Sequence, residues 1–174
     1  ALAFVIILLS EIPEPELGVA TEQKESTMDS IKGALSYKNF VFGAIAIFLY
    51  VGIEVGIPNV ANLYMTDVNG LNIATAVAGS LVGAYWFLML VGRLIGGVVG
   101  GKVSSKTMMT VVSSAAILFL LLGMFLPASI TVNVLDAQVP VAIMFFVLCG
   151  LCTSVMWGAV FNLAVEGLGK YTSI

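Results

Sequence analysis

FLYVGIEVGIPNVANLYM, residues 48–65, decides the fold class, because Glu54 is the only charged residue between Asn39 and Thr66. A run of that length and composition is long enough to cross a bilayer as a helix, for which about 20 apolar residues suffice. An ionised side chain facing lipid near the centre of such a helix costs about 2.5–3.5 kcal/mol. Glu54 is therefore expected to face an interior space between helices. Desolvation favours the neutral form of a carboxyl group, which makes Glu54 a candidate to bind and release a proton or to attract a cation. The competing reading is a structural hydrogen bond between helices.

The rest of the chain has the same character. Of 174 residues, 60% are hydrophobic and only 10% are charged, far below the quarter usual in a soluble domain. The net charge of −3 and the scattered Lys and Arg argue against nucleic acid as a partner. With no histidine in the chain, the commonest general base and metal ligand is missing, and no metal site or cofactor is expected. Cys149-Gly-Leu-Cys152 has redox or zinc spacing but lies in an apolar run without a second pair, so both are read as packing residues. Gly96-Gly-Val-Val-Gly-Gly101-Lys102 imitates a phosphate-binding loop, yet Val103 stands where a magnesium-binding Ser or Thr is needed and no strand precedes it.

Four long apolar runs, roughly 39–66, 74–100, 107–127 and 139–164, predict four membrane-spanning helices. Residues 1–10 read as the end of an earlier span. Residues 11–38 read as a polar linker, ending in a short surface helix whose Met28, Ile31 and Leu35 share one face. The chain is expected to be a fragment, with residues 39–174 forming part of a larger helical bundle. Lys and Arg cluster in or near the linker, the 101–106 loop and the C-terminal end, whereas loops 67–73 and 128–138 have none. The positive-inside rule then places the linker and the C-terminal end in the cytoplasm. Small-x-x-x-small pairs at Gly52/Gly56, Gly79/Gly83, Gly92/Gly96 and Gly96/Gly100 predict close helix contacts.

Several polar side chains sit deep in these runs. Tyr50 is one turn before Glu54, and Asn59 and Asn62 follow it, so all four are candidates to line a polar cavity. Pro58 has no N–H and crowds the Glu54 carbonyl, which frees backbone oxygens beside the carboxylate. In the fourth run Trp157 and Asn162 flank Gly158; an indole can cover the apolar face of a sugar while amides and carboxylates take its hydroxyls. Ordinary packing is the rival reading for Trp157. Arg93 either snorkels to the membrane surface or pairs with Glu166 to latch two helices at the inner side.

FLYVGIEVGIPNVANLYM, YWFLMLVGRLIGG and MWGAVFNLAVEGLGKYTS resemble the seventh, eighth and tenth spans of bacterial sugar transporters, in the fucose and glucose/galactose proton-symporter branch of the major facilitator superfamily. The resemblance implies a partial all-α bundle, comprising the end of span six and spans seven to ten. The N-terminal half and spans eleven and twelve would belong to the rest of the protein. It implies transport of a small neutral sugar across the inner membrane by alternating access, coupled to protons. A sodium-coupled transporter or a sugar-binding sensor of the same fold is the alternative, and no enzyme activity is expected. Trp157 matches a pocket-lining aromatic of that family, and Gly158 departs from the proline common beside it. Glu54 matches a position that is Glu in glucose/galactose-like members and an amide in fucose-like ones. Arg93 and Glu166 match charge networks that gate the cytoplasmic side.

Overall fold

The computed structural model describes residues 27–168; the expectations for residues 1–26 and 169–174 lie outside the described residues. A short helix α1 (Thr27–Leu35) precedes three long helices, α2 (Lys38–Thr66), α3 (Thr75–Gly100) and α4 (Ser105–Phe125). A β-hairpin follows, β1 (Thr131–Val134) and β2 (Ala137–Pro140), and the described chain ends with α5 (Val141–Val165). All four long helices are long and apolar enough to cross a membrane. The chain is a multi-pass membrane protein.

Local chemistry sets where these helices begin and end. Ser104 caps α4, its Oγ accepting from the Thr107 backbone N–H at 3.2 Å. The helix therefore starts two residues before the expected 107. At its other end Pro127 disfavours helical geometry for Leu126, so α4 stops at Phe125 rather than 127. The α2–α3 connection is a tight turn in which Asp67 Oδ1 accepts from the Asn69 N–H at 2.8 Å. A Cβ on Gly70 would collide with the Tyr64 carbonyl oxygen, so that turn admits only glycine.

The connection between α4 and α5, expected to be a plain loop, contains the hairpin. Val134 pairs with Ala137, leaving Leu135 and Asp136 as a two-residue loop with φ of 48° and 65°. Two-residue hairpin loops with positive φ at both positions favour Asn-Gly, and neither is present here. Its strand signal, the alternation in Thr131-Val-Asn-Val134, is only four residues long.

Helix α5 is the hub, packed against α2, α3 and α4 and carrying more buried residues than any other element. Three clusters hold the bundle together. Near the hairpin, Met65, Val77, Ala78 and Leu81 meet Val139 and Ile143. Farther along, Tyr85 and Met89 pack with Cys149, and Tyr50 packs with Ala116, Cys152 and Met156. The two cysteines are buried free thiols within that packing.

The glycine pairs divide. At Gly92 a Cβ would strike Ser154 Oγ and lie 2.9 Å from the Leu151 carbonyl oxygen, and at Gly96 it would lie 3.0 Å from Val155, so this pair seats α3 on α5. Gly52, Gly56, Gly79 and Gly83 meet nothing within 4 Å, contrary to the expectation of close contact at each pair. The faces that carry them also expose Phe48, Ile53, Phe87 and Leu90, as suits surfaces that meet acyl chains or other helices.

Candidate functional site

Pro58 is the origin of the site's geometry. Lacking an N–H, it cannot donate to the Glu54 carbonyl one turn earlier, and in lipid an unmet carbonyl is costly. Tyr85 on α3 fills the vacancy, its hydroxyl donating to Glu54 O at 2.9 Å. The same hydroxyl lies 3.2 Å from Thr153 Oγ1 on α5, which in turn is within reach of the Cys149 and Gly150 carbonyls at 3.1 and 3.2 Å. Tyr85 has one proton, so with that proton on the Glu54 carbonyl its oxygen accepts from Thr153. One phenol thus ties α2, α3 and α5 together beside the acidic residue. Gly150 lets Tyr85 approach, since a Cβ there would collide with the Tyr85 carbonyl oxygen.

The Glu54 side chain is met by Arg93, whose Nη2 donates to Oε1 at 2.9 Å. Helix periodicity alone would not align them. Glu54 lies 12 residues from the end of α2 and Arg93 lies 18 residues into the antiparallel α3. At 1.5 Å per residue the two Cα atoms differ by about 9 Å in depth. Side chains tilt toward the N-terminus of their own helix. On antiparallel neighbours that tilt brings the carboxylate and the long guanidinium stem together.

The same tilt explains a correction. Glu166 lies at the end of α5, beyond Arg93 along the shared direction of α3 and α5, whereas the guanidinium leans the other way. The expected Arg93–Glu166 pair is replaced by Arg93–Glu54. Glu166 is exposed and borders a separate hollow of about 310 Å³ with Asn39 and Phe42.

Glu54 and Arg93 form one wall of a cleft of about 690 Å³. Trp157, Gly158 and Asn162 on α5 line the same cleft, together with Gly96, Gly97 and Gly100 on α3. That volume lies within the roughly 300–1,000 Å³ of small-ligand sites. Trp157 is 45% exposed. Its ring lies 6.1 Å from that of Tyr50 at 45°. Tyr50 is buried behind it.

Four of the eight expected functional residues therefore border one space: Glu54, Arg93, Trp157 and Asn162. Tyr50 backs it. Asn59 and Asn62 do not border it. Asn59 is exposed and its amide is spent on the Val55 carbonyl at 2.9 Å, while Asn62 lies a further turn away beyond Pro58. Tyr85, Thr153 and Ser154 were not singled out from the sequence, although each is a polar side chain in mid-span. Among the described residues no group of three His, Cys, Asp or Glu side chains is placed to hold a metal.

The described bundle thus places an ion pair, an aromatic and an amide around one cleft between membrane-spanning helices. The whole chain, residues 1–174, matches the Major Facilitator Superfamily. The chain belongs to that superfamily. Its similarity extends to a glucose/galactose transporter of Brucella abortus, 27% identical over 173 residues, which covers 99% of this chain and 38% of the relative. A putative glucose/galactose transporter of Helicobacter pylori strain 26695 is 28% identical over 169 residues, covering 97% of this chain and 37% of the relative. The chain thus spans a little over a third of the length of these superfamily relatives. No solved structure matches it.

Proposed function

We propose that this chain is part of a secondary active transporter that moves a small neutral sugar, of the glucose or galactose type, by alternating access. The observation that carries the reading is the cleft that the Glu54–Arg93 pair lines together with Trp157 and Asn162. Charged groups satisfy hydroxyls, and the indole covers the apolar ring face. The relatives, named as glucose/galactose transporters, point to the same substrates. Transport of this kind involves no bond chemistry in the substrate, and the relatives are transporters rather than enzymes.

Within this reading the coupling ion is a proton. Glu54 serves as a sugar ligand rather than the proton carrier, because Arg93 already balances its charge. The protein resides in the inner membrane, with the basic 101–106 loop on the cytoplasmic face. Arg93 acts at the substrate site and not as an inner-side latch.

The test is uptake of labelled hexose by the complete protein in proteoliposomes with an imposed proton gradient. Glu54→Gln combined with Trp157→Ala is expected to lower uptake at least about tenfold, as loss of one charge-assisted hydrogen bond and one stacking contact implies. Unchanged uptake would remove the site from this cleft. Uptake that responds to a sodium gradient alone would replace the proton.

A further inference from the structure

The short helix α1 has an apolar face that the described residues leave uncovered. At about 100° per residue, Met28, Ile31 and Leu35 fall within one arc of about 60°. All three are exposed, Met28 at 60%, whereas Ala34 on the next flank is buried. The helix thus rests one flank on the protein and leaves its most apolar side free. Behind it the chain turns at once. The Ser36 N–H and Oγ–H donate to the Gly33 carbonyl at 3.1 and 2.6 Å, and the Tyr37 N–H donates to the Ala34 carbonyl at 3.1 Å. Ser36 and Tyr37 alone separate α1 from α2, a helix long and apolar enough to span the membrane. So short a tether holds α1 at the depth where α2 enters the bilayer, and α2 continues the apolar surface with the exposed Phe42.

Charge supplies the second observation. Because α2 leaves this end and α3 returns to it, the connection before α4 lies on the same side of the membrane as α1. Lys32 stands about 40° from Met28, on the flank away from Ala34. Lys38 opens α2, and Lys102 and Lys106 lie where α3 gives way to α4. All four are exposed, and among the described residues none of them is in an ion pair. Asp29 and Glu166 are the described acids at that end, whereas the opposite end carries Asp67 and Asp136 and, among the described residues, no lysine or arginine. Helices with an apolar face and a basic flank lie in the plane of the interface, and acidic headgroups attract lysines held near the bilayer surface.

We propose that α1 is an interfacial foot that docks on acidic phospholipid. Met28, Ile31 and Leu35 enter the acyl boundary, Lys32 and Lys38 meet headgroup phosphates, and Lys102 and Lys106 extend the same basic surface. Lipid is the occupant rather than another protein helix because the free face is bordered by unpaired cations at headgroup depth. A protein partner covering those cations would have to bring counter-charges or leave them buried and uncompensated, whereas the headgroups supply the counter-charge themselves. The docking needs no sugar and holds whichever solute the complete protein moves.

The experiment places an environment-sensitive fluorophore on Ile31→Cys in the complete protein, with every other cysteine replaced by Ser. The protein is reconstituted in vesicles of phosphatidylcholine, with and without about 30% phosphatidylglycerol. Asp136→Cys, at the exposed hairpin tip, carries the same fluorophore as the water-facing reference. Spin-labelled lipid is expected to quench the Ile31 site at least about threefold more than the reference, and acrylamide in the water to quench it less. Phosphatidylglycerol is expected to raise the lipid quenching about twofold, and either Lys32→Gln with Lys38→Gln or about 1 M salt to remove that rise. Equal quenching of the two sites by each agent would put α1 in water and overturn the proposal. Protection of Ile31 from both quenchers would overturn it in favour of a covering protein segment. Lipid quenching indifferent to phosphatidylglycerol would overturn the recognition of acidic headgroups.

Discussion

At the scale of single residues, the decisive fact is that a charge in the middle of a membrane helix arrives with its counter-charge. Glu54 needs an opposite partner because neither ion tolerates hydrocarbon alone, and Arg93 satisfies it at 2.9 Å. The pair has one well-covered and one half-exposed member, so its net contribution to stability is small while removal of the counter-charge is the larger effect. Arg93→Leu is therefore expected to destabilise the protein by on the order of 1–2 kcal/mol, and Glu54→Gln added to it to restore most of that loss. Thermal unfolding of the parent, both single variants and the double variant in one detergent measures the coupling. Additive losses would mean that the two groups are independently solvated. The sequence showed Glu54 plainly, as a lone carboxylate in an apolar run, but not its partner. The partner is set by the tilt of side chains on antiparallel helices, which spacing along one chain does not display.

At the scale of elements, a proline that would weaken a soluble helix here organises three of them. Pro58 leaves the Glu54 carbonyl without a helical donor, and Tyr85 supplies one from the neighbouring helix while also meeting Thr153. The freed carbonyl was legible in the sequence from the i to i+4 spacing of Glu54 and Pro58; the tyrosine that answers it lies 31 residues away and was not. Tyr85→Phe is expected to cost about 1–3 kcal/mol by leaving that carbonyl unmet. Pro58→Ala returns a backbone N–H to α2, so in that background the same Tyr85→Phe change is expected to cost less than half as much. Denaturation of the four proteins closes the cycle. An equal cost in both backgrounds would show that the phenol acts through Thr153 alone. Packing follows a similar logic at Gly92, where even a methyl would strike Ser154 and approach the Leu151 backbone, so α3 can rest on α5 only as glycine.

At the scale of the whole molecule, four spans were legible because length and hydropathy are local properties, and each of the helices α2 to α5 falls within two residues of its expected bounds. What stayed hidden was non-local or short: the hairpin at Thr131–Pro140, with four-residue strands and no Asn-Gly, and the choice of α5 as the hub. The connectivity also fixes sidedness relative to the bundle. Successive antiparallel spans put the Lys102–Lys106 connection at one end and both the Asp67–Asn69 turn and the hairpin at the other; in the topology proposed above the basic end is the cytoplasmic one. Cys149 and Cys152 are buried free thiols; with these and every other cysteine of the complete protein replaced by Ser, an introduced thiol reports alone. In that background Asp136→Cys, at the exposed tip of the hairpin, is expected to react with a membrane-impermeant maleimide added to the outside of intact spheroplasts. Ser104→Cys, at the exposed start of α4, is expected to react only after permeabilisation. Labelling of Ser104→Cys from outside, with Asp136→Cys protected, would invert the bundle. The end of the cleft bordered by Gly100 and Met108, which flank the basic connection, would then open outward instead of toward the cytoplasm.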